Sequence, residues 1–142
     1  MGAMSRRKGA AFEREIANKI RDNLGFECKR NLEQYQAGGD DLSGVPGWSI
    51  ECKRYASCVP SDLKTFWLQC EAQAAAKGCR PVLIVRQDRK PIQVFVNWIG
   101  PGSDCYEASD FNSVAEISFE LWCGIVRETL ESEEKQYEYV RS

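Results

Sequence analysis

The chain has 142 residues and not one of them is histidine. That absence excludes Ser-His-Asp hydrolases, Cys-His proteases, zincins and every nuclease that relies on a histidine general base. Any hydrolysis here has to run on carboxylates, lysine, a metal ion, or a combination of these. The seven cysteines (Cys28, Cys52, Cys58, Cys70, Cys79, Cys105 and Cys123) include no C-x-x-C pair. An odd set without that spacing and without histidine suits neither structural zinc nor a dithiol redox centre. These thiols read as reduced packing residues, and with them the expected compartment is the cytoplasm. Long apolar runs are lacking as well. Val82 to Val85 is the longest aliphatic stretch, far below the length that spans a bilayer, and no signal-peptide pattern opens the chain.

What is present reads as one soluble domain. Hydrophobic residues at 43% and charged residues at 28%, over this length, are enough to bury a core. Met1-Gly2-Ala3 reads as a cloning remnant ahead of a native Met4. The net charge of −2 conceals an asymmetry: 16 Lys/Arg stand against 11 Asp/Glu over residues 1–99, and 3 against 10 over residues 100–142. A basic first part is compatible with a nucleic-acid partner and with an ordinary surface alike.

Periodicity gives the elements. Phe12, Ile16, Ile20 and Leu24 recur every four residues and predict a helix over 9–24, with Gly25 as its stop. Phe26–Arg30 alternates and predicts a short strand; Gly38-Gly39 then break the chain before Asp40 and Asp41. Trp48 to Lys53 predicts a strand with Trp48, Ile50 and Cys52 on one face and Ser49, Glu51 and Lys53 on the other. Pro60-Ser61-Asp62 predicts a second helix with Ser61 as its cap, an apolar stripe of Leu63, Phe66, Trp67, Cys70 and Ala74, and a stop at Gly78. Val82–Val85 reads as a buried central strand and Ile92–Trp98 as another. Beyond a loop at Gly100–Ser103, a strand at Val114–Ile117 and a helix capped by Ser118 and running to about Ser132 are expected, with polar, frayed residues after it.

Chemistry gathers at four residues: Glu13 on the first helix, Asp41 after the glycine pair, and Glu51 with Lys53 in E-C-K. Residues i and i+2 of a strand point to the same side, about 6–7 Å apart. If Trp48, Ile50 and Cys52 bury one face, Glu51 and Lys53 are presented together on the other. Asp41 can reach Glu51 from a neighbouring strand. Two converging carboxylates are the minimum that Mg²⁺ asks for, with the Cys52 backbone carbonyl as a further oxygen. Lys53 beside them would orient an attacking water and offset charge on a phosphoryl transition state. Taken singly, an E-x-K is most often a solvated face, Asp40-Asp41 a turn, and Glu13 a surface charge. Their joint order is what raises them above that.

In that order the sequence resembles the PD-(D/E)XK nuclease superfamily, and within it the small archaeal and phage Holliday-junction-resolving endonucleases. The matching stretches are Arg7-Lys8-Gly9-Ala10-Ala11-Phe12-Glu13-Arg14-Glu15, Gly39-Asp40-Asp41-Leu42 and Ile50-Glu51-Cys52-Lys53-Arg54, within roughly residues 6–98. The resemblance implies a restriction-endonuclease-like α/β fold. Its core would run αβββαβ over residues 4–98, with a central mixed sheet flanked by helices. Residues 99–142 would be an acidic strand-and-helix extension packed on the same domain. It further implies that Glu13, Asp41 and Glu51 bind Mg²⁺, with Mn²⁺ able to substitute, and that Lys53 helps to activate water. Where the family pattern has proline before the aspartate, this chain has Asp40, so either aspartate is open as the ligand; Asp41 is preferred because an apolar residue follows it. Glu15 competes with Glu13, which is preferred because it follows Phe12. Family members often place a glutamine on the helix after E-x-K, and Gln69 and Gln73 are the candidates.

Arg6, Arg7, Lys8, Arg54 and Arg86 are the candidate contacts to a DNA backbone, read by geometry rather than by sequence. The expected activity is a Mg²⁺-dependent endonuclease acting as a homodimer on four-way junctions. Alternatives are a restriction-like, nicking or end-processing nuclease, and a catalytically silent nucleic-acid-binding module. A thiol redox protein is disfavoured by the cysteine spacing.

Overall fold

The structure, a computed structural model, describes residues 3–32, 40–98 and 111–141, with the side chains of 3–6 and 136–141 excepted. Gly38-Gly39, the Gly100–Ser103 loop, Cys105 and the Arg6 side chain lie outside the described residues. Among those described, the order is α1 (Ala3–Leu24), β1 (Lys29–Arg30), β2 (Leu42–Ser43), β3 (Trp48–Tyr55), α2 (Pro60–Lys77), β4 (Arg80–Gln87), β5 (Gln93–Asn97), a 3-10 turn (Phe111–Ser113), β6 (Val114–Ile117) and α3 (Phe119–Arg141). The six strands form one sheet in the order β1-β2-β3-β4-β5-β6. Only β3 and β4 run parallel, joined by the α2 crossover; the other pairs are antiparallel. This is the expected αβββαβ order followed by two further strands and a helix.

Both faces of the sheet are covered, which is why β4 is apolar on both sides. On one face Phe12, Ile16, Ala17 and Ile20 of α1 and Phe119, Trp122, Cys123 and Val126 of α3 pack on Ile50, Cys52, Val82, Ile84, Val94 and Val96. Trp48 and Trp122 meet edge to face there, 5.8 Å apart. On the other face Trp67 and Cys70 of α2 pack on Leu83, Val85 and Phe95. The C-terminal segment therefore shares the main core with α1, and Arg127 donates to the Asn23 carbonyl at 2.6 Å, at the end of α1.

Several boundaries differ from the sequence expectation. α1 takes in the basic residues before position 9 and starts at Ala3. The first strand shrinks to Lys29–Arg30, while β3 runs two residues past Lys53 to Tyr55, held by the full register with β4. The cap of α2 is Val59, not Ser61. Pro60 occupies the first helical position, where a missing N–H costs nothing, and Asp62 accepts from the Val59 N–H at 2.9 Å. Gly78 does close α2, in the left-handed region at φ 65°. Ser118 does cap α3, accepting from the Leu121 N–H at 3.0 Å, but that helix continues to Arg141, well beyond Ser132. β5 is shorter than expected, Gln93–Asn97. Trp98 is 46% exposed, unlike the other three tryptophans.

Gly44, just after β2, has φ 113°, and a Cβ there would stand 2.6 Å from the Glu27 carbonyl oxygen. Gly47 has φ 80° but open space around it. Gly44→Ala is expected to destabilise by about 2–4 kcal/mol, from backbone strain plus a clash that no rotamer relieves. Gly47→Ala should cost only about 1 kcal/mol. Urea unfolding of the two variants checks the difference, and equal losses would remove the close approach of β2 to residue 27.

Candidate active site

β2 is only two residues long, and it sets the site. Leu42 pairs with Ile50, so Leu42 and Ile50 share the α1 face while Asp41 and Glu51 fall on the α2 face. Asp41 is held three ways: its N–H donates to the Ile50 carbonyl (2.9 Å), its carbonyl accepts from the Asn31 N–H (2.8 Å), and its Oδ2 accepts from the Cys52 N–H (2.7 Å). Because β2 begins only at Leu42, Asp41 caps a β3 backbone donor that a longer strand would have paired. By the alternation of strand polar groups, the Cys52 carbonyl opens on the same side.

The E-x-K face is not solvated. α2 lies over it, so Glu51 is 4% exposed and Asp41 7%. Lys53 Nζ stands 3.3 Å from Glu51 Oε1 and donates to Gln69 Oε1 at 3.2 Å. Its ammonium also lies 5.2 Å from the centre of the Phe66 ring. The other Glu51 oxygen, Oε2, is buried without a hydrogen-bond partner, and so is Gln73 Oε1.

Burial raises the Glu51 carboxyl to about 8, and the nearby Asp41 charge pushes the same way while Lys53 opposes it. Asp41 is raised to about 6, again chiefly by burial, with the Cys52 N–H opposing and the charge of Glu13 adding to the rise. Two like-charged groups in a dry place disfavour each other's ionisation. The pair is short of positive charge.

Glu13 reaches this neighbourhood from α1, but its Oε2 accepts from Arg30 Nε at 2.7 Å. Arg30 was not foreseen. The sequence offered only a basic residue on a short strand, with no spacing to tie it to Glu13. Glu15, the rival of Glu13, is drawn away to Arg86 at 2.7 Å. Asp40 is likewise buried, but its Oδ1 accepts from Lys77 and from Asn31 Nδ2 (3.4 Å) rather than facing Glu51. The Cys52 thiol sits on the α1 face, and burial drives it well above the ordinary thiol range, so it stays protonated. Cys52 can contribute its carbonyl but not its sulfur.

Among the described residues, no three His, Cys, Asp or Glu side chains are drawn into a ready cage for a metal ion. The donor set still fits Mg²⁺, which prefers hard oxygen, keeps several waters and needs only one or two carboxylates. The orphaned Glu51 Oε2 beside Asp41 is an open acceptor of the right kind. Asp41 and Glu51 are the residues that would hold the ion, with the Cys52 carbonyl beside them; Glu13 would first have to leave Arg30.

The candidate DNA contacts are placed elsewhere. Arg54 and Arg86 are cross-strand partners at the carboxyl ends of β3 and β4, on the α1 face and so on the opposite side from Glu51 and Lys53. Arg54 pairs with Asp88 at 2.5 Å and donates to the Tyr55 carbonyl; Arg86 pairs with Glu15 and lies over Phe12. Arg7 and Lys8 are exposed on the first turns of α1.

A family model described as "Phage putative PDDEXK endonuclease" matches residues 4–138 of the chain. No curated protein matches it at significance. Among solved structures, it is similar to the 1.6 Å structure of Hjc from Archaeoglobus fulgidus, a Holliday junction resolvase from an archaeal hyperthermophile. The two share 17% identity, with 79% of this chain and 84% of that one covered, at a TM-score of 0.45.

The raised carboxyls give a stability test in the metal-free protein. A carboxyl whose folded value lies above its unfolded one contributes most below the unfolded value, here 4.5 for Glu51, and that contribution is lost as pH rises through about 8. Glu51→Gln should therefore gain on the wild type as pH climbs from about 5 to about 9, by about 1–3 kcal/mol at the upper end. Urea unfolding in EDTA at the two pH values measures it; a gap that does not widen with pH would contradict the burial of an ionising Glu51.

Proposed function

This chain belongs to the phage PDDEXK endonuclease family, and on that premise we propose that it is a Mg²⁺-dependent DNA endonuclease whose preferred substrate is a four-way junction. The observation that carries the reading is the buried Asp41–Glu51 pair, with Lys53 3.3 Å from Glu51 and an unsatisfied oxygen between burial and chemistry. No other described cluster combines two carboxylates, an ammonium and a shortage of positive charge.

When bound, Mg²⁺ would supply Lewis acidity toward a phosphoryl oxygen and make a water more acidic. Everything else falls to the chain. Asp41, fixed through the Cys52 N–H and two backbone bonds, keeps its carboxylate aimed beside Glu51. Lys53 is held from three sides by Glu51, Gln69 and the Phe66 ring, so its ammonium does not have to be ordered during the reaction. There it offsets negative charge gathering on the phosphoryl oxygens. Gln69 acts through Lys53. Gln73 carries a buried unpartnered acceptor on the same flank of α2, able to accept from the O–H of a bound water or hydroxyl.

Arg7 and Lys8, with Arg54 and Arg86 once phosphates replace Asp88 and Glu15 as their partners, supply contacts that read the shape of the backbone. The preference for branched DNA rests on the resemblance of the three motif stretches to junction-resolving enzymes. A homodimer suits that substrate, because a four-way junction offers two symmetric cleavage points. The cytoplasm is the compartment in which it would act, and no helix among the described residues is long and apolar enough to cross a membrane.

Purified protein with Mg²⁺ is expected to cut synthetic four-way junctions faster than flap, nicked or linear duplex DNA. Glu51→Ala and Lys53→Ala should each lower the rate by about 100-fold or more. Equal rates on all four substrates would replace the junction preference with a general nicking or end-processing role. Undiminished cutting by either variant would remove the assignment of these residues, and DNA binding without any cleavage would favour the silent module.

A further inference from the structure

The C-terminal half of α2 touches the candidate site at two points. Gln69, Gln73 and Lys77 follow one another at i, i+4 and i+8 and so share a flank of the helix. The first accepts from Lys53; the last, in the final turn, reaches back across the sheet edge to Asp40. Asp40 directly precedes Asp41 and is itself 5% exposed. A carboxylate that deep is expensive to keep unless it is paired and hydrogen-bonded. Here Lys77 supplies the charge, and Asn31 supplies both a side-chain donor to Asp40 and a backbone donor to Asp41. Lys77 on its own would be unremarkable, since a cation suits the last turn of a helix. Its reach to a buried carboxylate beside the site is not explained that way.

We propose that Asp40 and Lys77 form a positioning clamp: the ion pair ties the entry of β2 to the C-terminal turn of α2 and thereby fixes the aim of the Asp41 carboxylate. Asp40 is a positioning residue and not a ligand, because its bonded oxygen is turned to Lys77 and Asn31 while Asp41 alone faces Cys52 and Glu51. The clamp stands where the family pattern carries proline. A rigid ring there would stiffen the chain ahead of the aspartate; in this chain an ion pair to a neighbouring helix does so instead. Lys53 and Asp41 are then both referred to the same rigid body, α2, which keeps the amine and the carboxylate in a fixed relation. The inference rests on reading Asp41 and Glu51 as the residues that hold a divalent cation.

The test is Mn²⁺ binding to the whole protein by calorimetry, without DNA, for the wild type, Lys77→Met, Asp40→Asn and the double variant. Lys77→Met and Asp40→Asn are each expected to weaken binding by about 10-fold, the low end for residues acting through a ligand's neighbour. The double variant should lose no more than either alone, and Lys77→Arg should restore most of the affinity. On DNA, Lys77→Met should lower kcat with little change in KM. Lys77 is 42% exposed at its side chain, so its substitution leaves the core intact; should Lys77→Met still fail to fold, the exchanged pair Asp40→Lys with Lys77→Asp takes its place and is expected to bind Mn²⁺ within a few-fold of wild type. Wild-type affinity in Lys77→Met overturns the clamp and leaves the cation reading standing. So does a far larger loss in Asp40→Asn than in Lys77→Met, which would make Asp40 a ligand. Absence of Mn²⁺ binding in the wild type overturns the clamp and the cation reading together.

Discussion

Two carboxylates lie side by side in a place that water barely reaches, and the rest of the site is arranged around that cost. β3 is paired along both edges for part of its length and covered on both faces, so neither Asp41 nor Glu51 can hydrate freely. Lys53 and the Cys52 N–H answer part of the negative charge. They do not answer all of it, because one oxygen of Glu51 has no partner and burial holds both groups toward their protonated forms. A stable core would have substituted apolar side chains at these positions. Keeping the acids makes sense for a protein whose folded state is completed by something positive from outside.

The start of β2 shapes the sheet edge beside that pair. Because β2 begins only at Leu42, opposite Ile50, the flank of β3 at Cys52 has no neighbouring strand. Asp41 fills the vacant donor with a side chain instead of a backbone carbonyl. A catalytic-type carboxylate is thus produced by truncating an ordinary ladder. The cationic pair Arg54 and Arg86 belongs to the other face of the same strands. A phosphate backbone that touched both would have to pass around the end of the sheet, not lie flat on it.

Much of this was legible in the chain, and for identifiable reasons. The four-residue spacing of Phe12, Ile16 and Ile20 and the two-residue alternation around Glu51 are strong signals, and both describe the structure. The apolar run at Val82 marked a strand covered on both sides. That same clue implied that the neighbouring strand would be covered too, yet Glu51 and Lys53 read as a presented face, because one strand's alternation says nothing of a helix arriving later. Pairings between distant charges were invisible: Arg30 with Glu13 and Lys77 with Asp40 span 17 and 37 residues. Ser61 reads as a cap by residue type, whereas proline at position 60 places the cap two residues earlier, at Val59.

The final helix has a bearing on how this protein comes to exist in a cell. α1 leaves the ribosome well before α3, yet part of what covers its apolar stripe is Phe119, Trp122 and Val126 of α3. A nascent chain carrying every residue of the candidate site would still expose that stripe to chaperones. The core therefore closes only after α3 has been made, so a chain cut short before it should be cleared by proteolysis rather than persist as a loose enzyme.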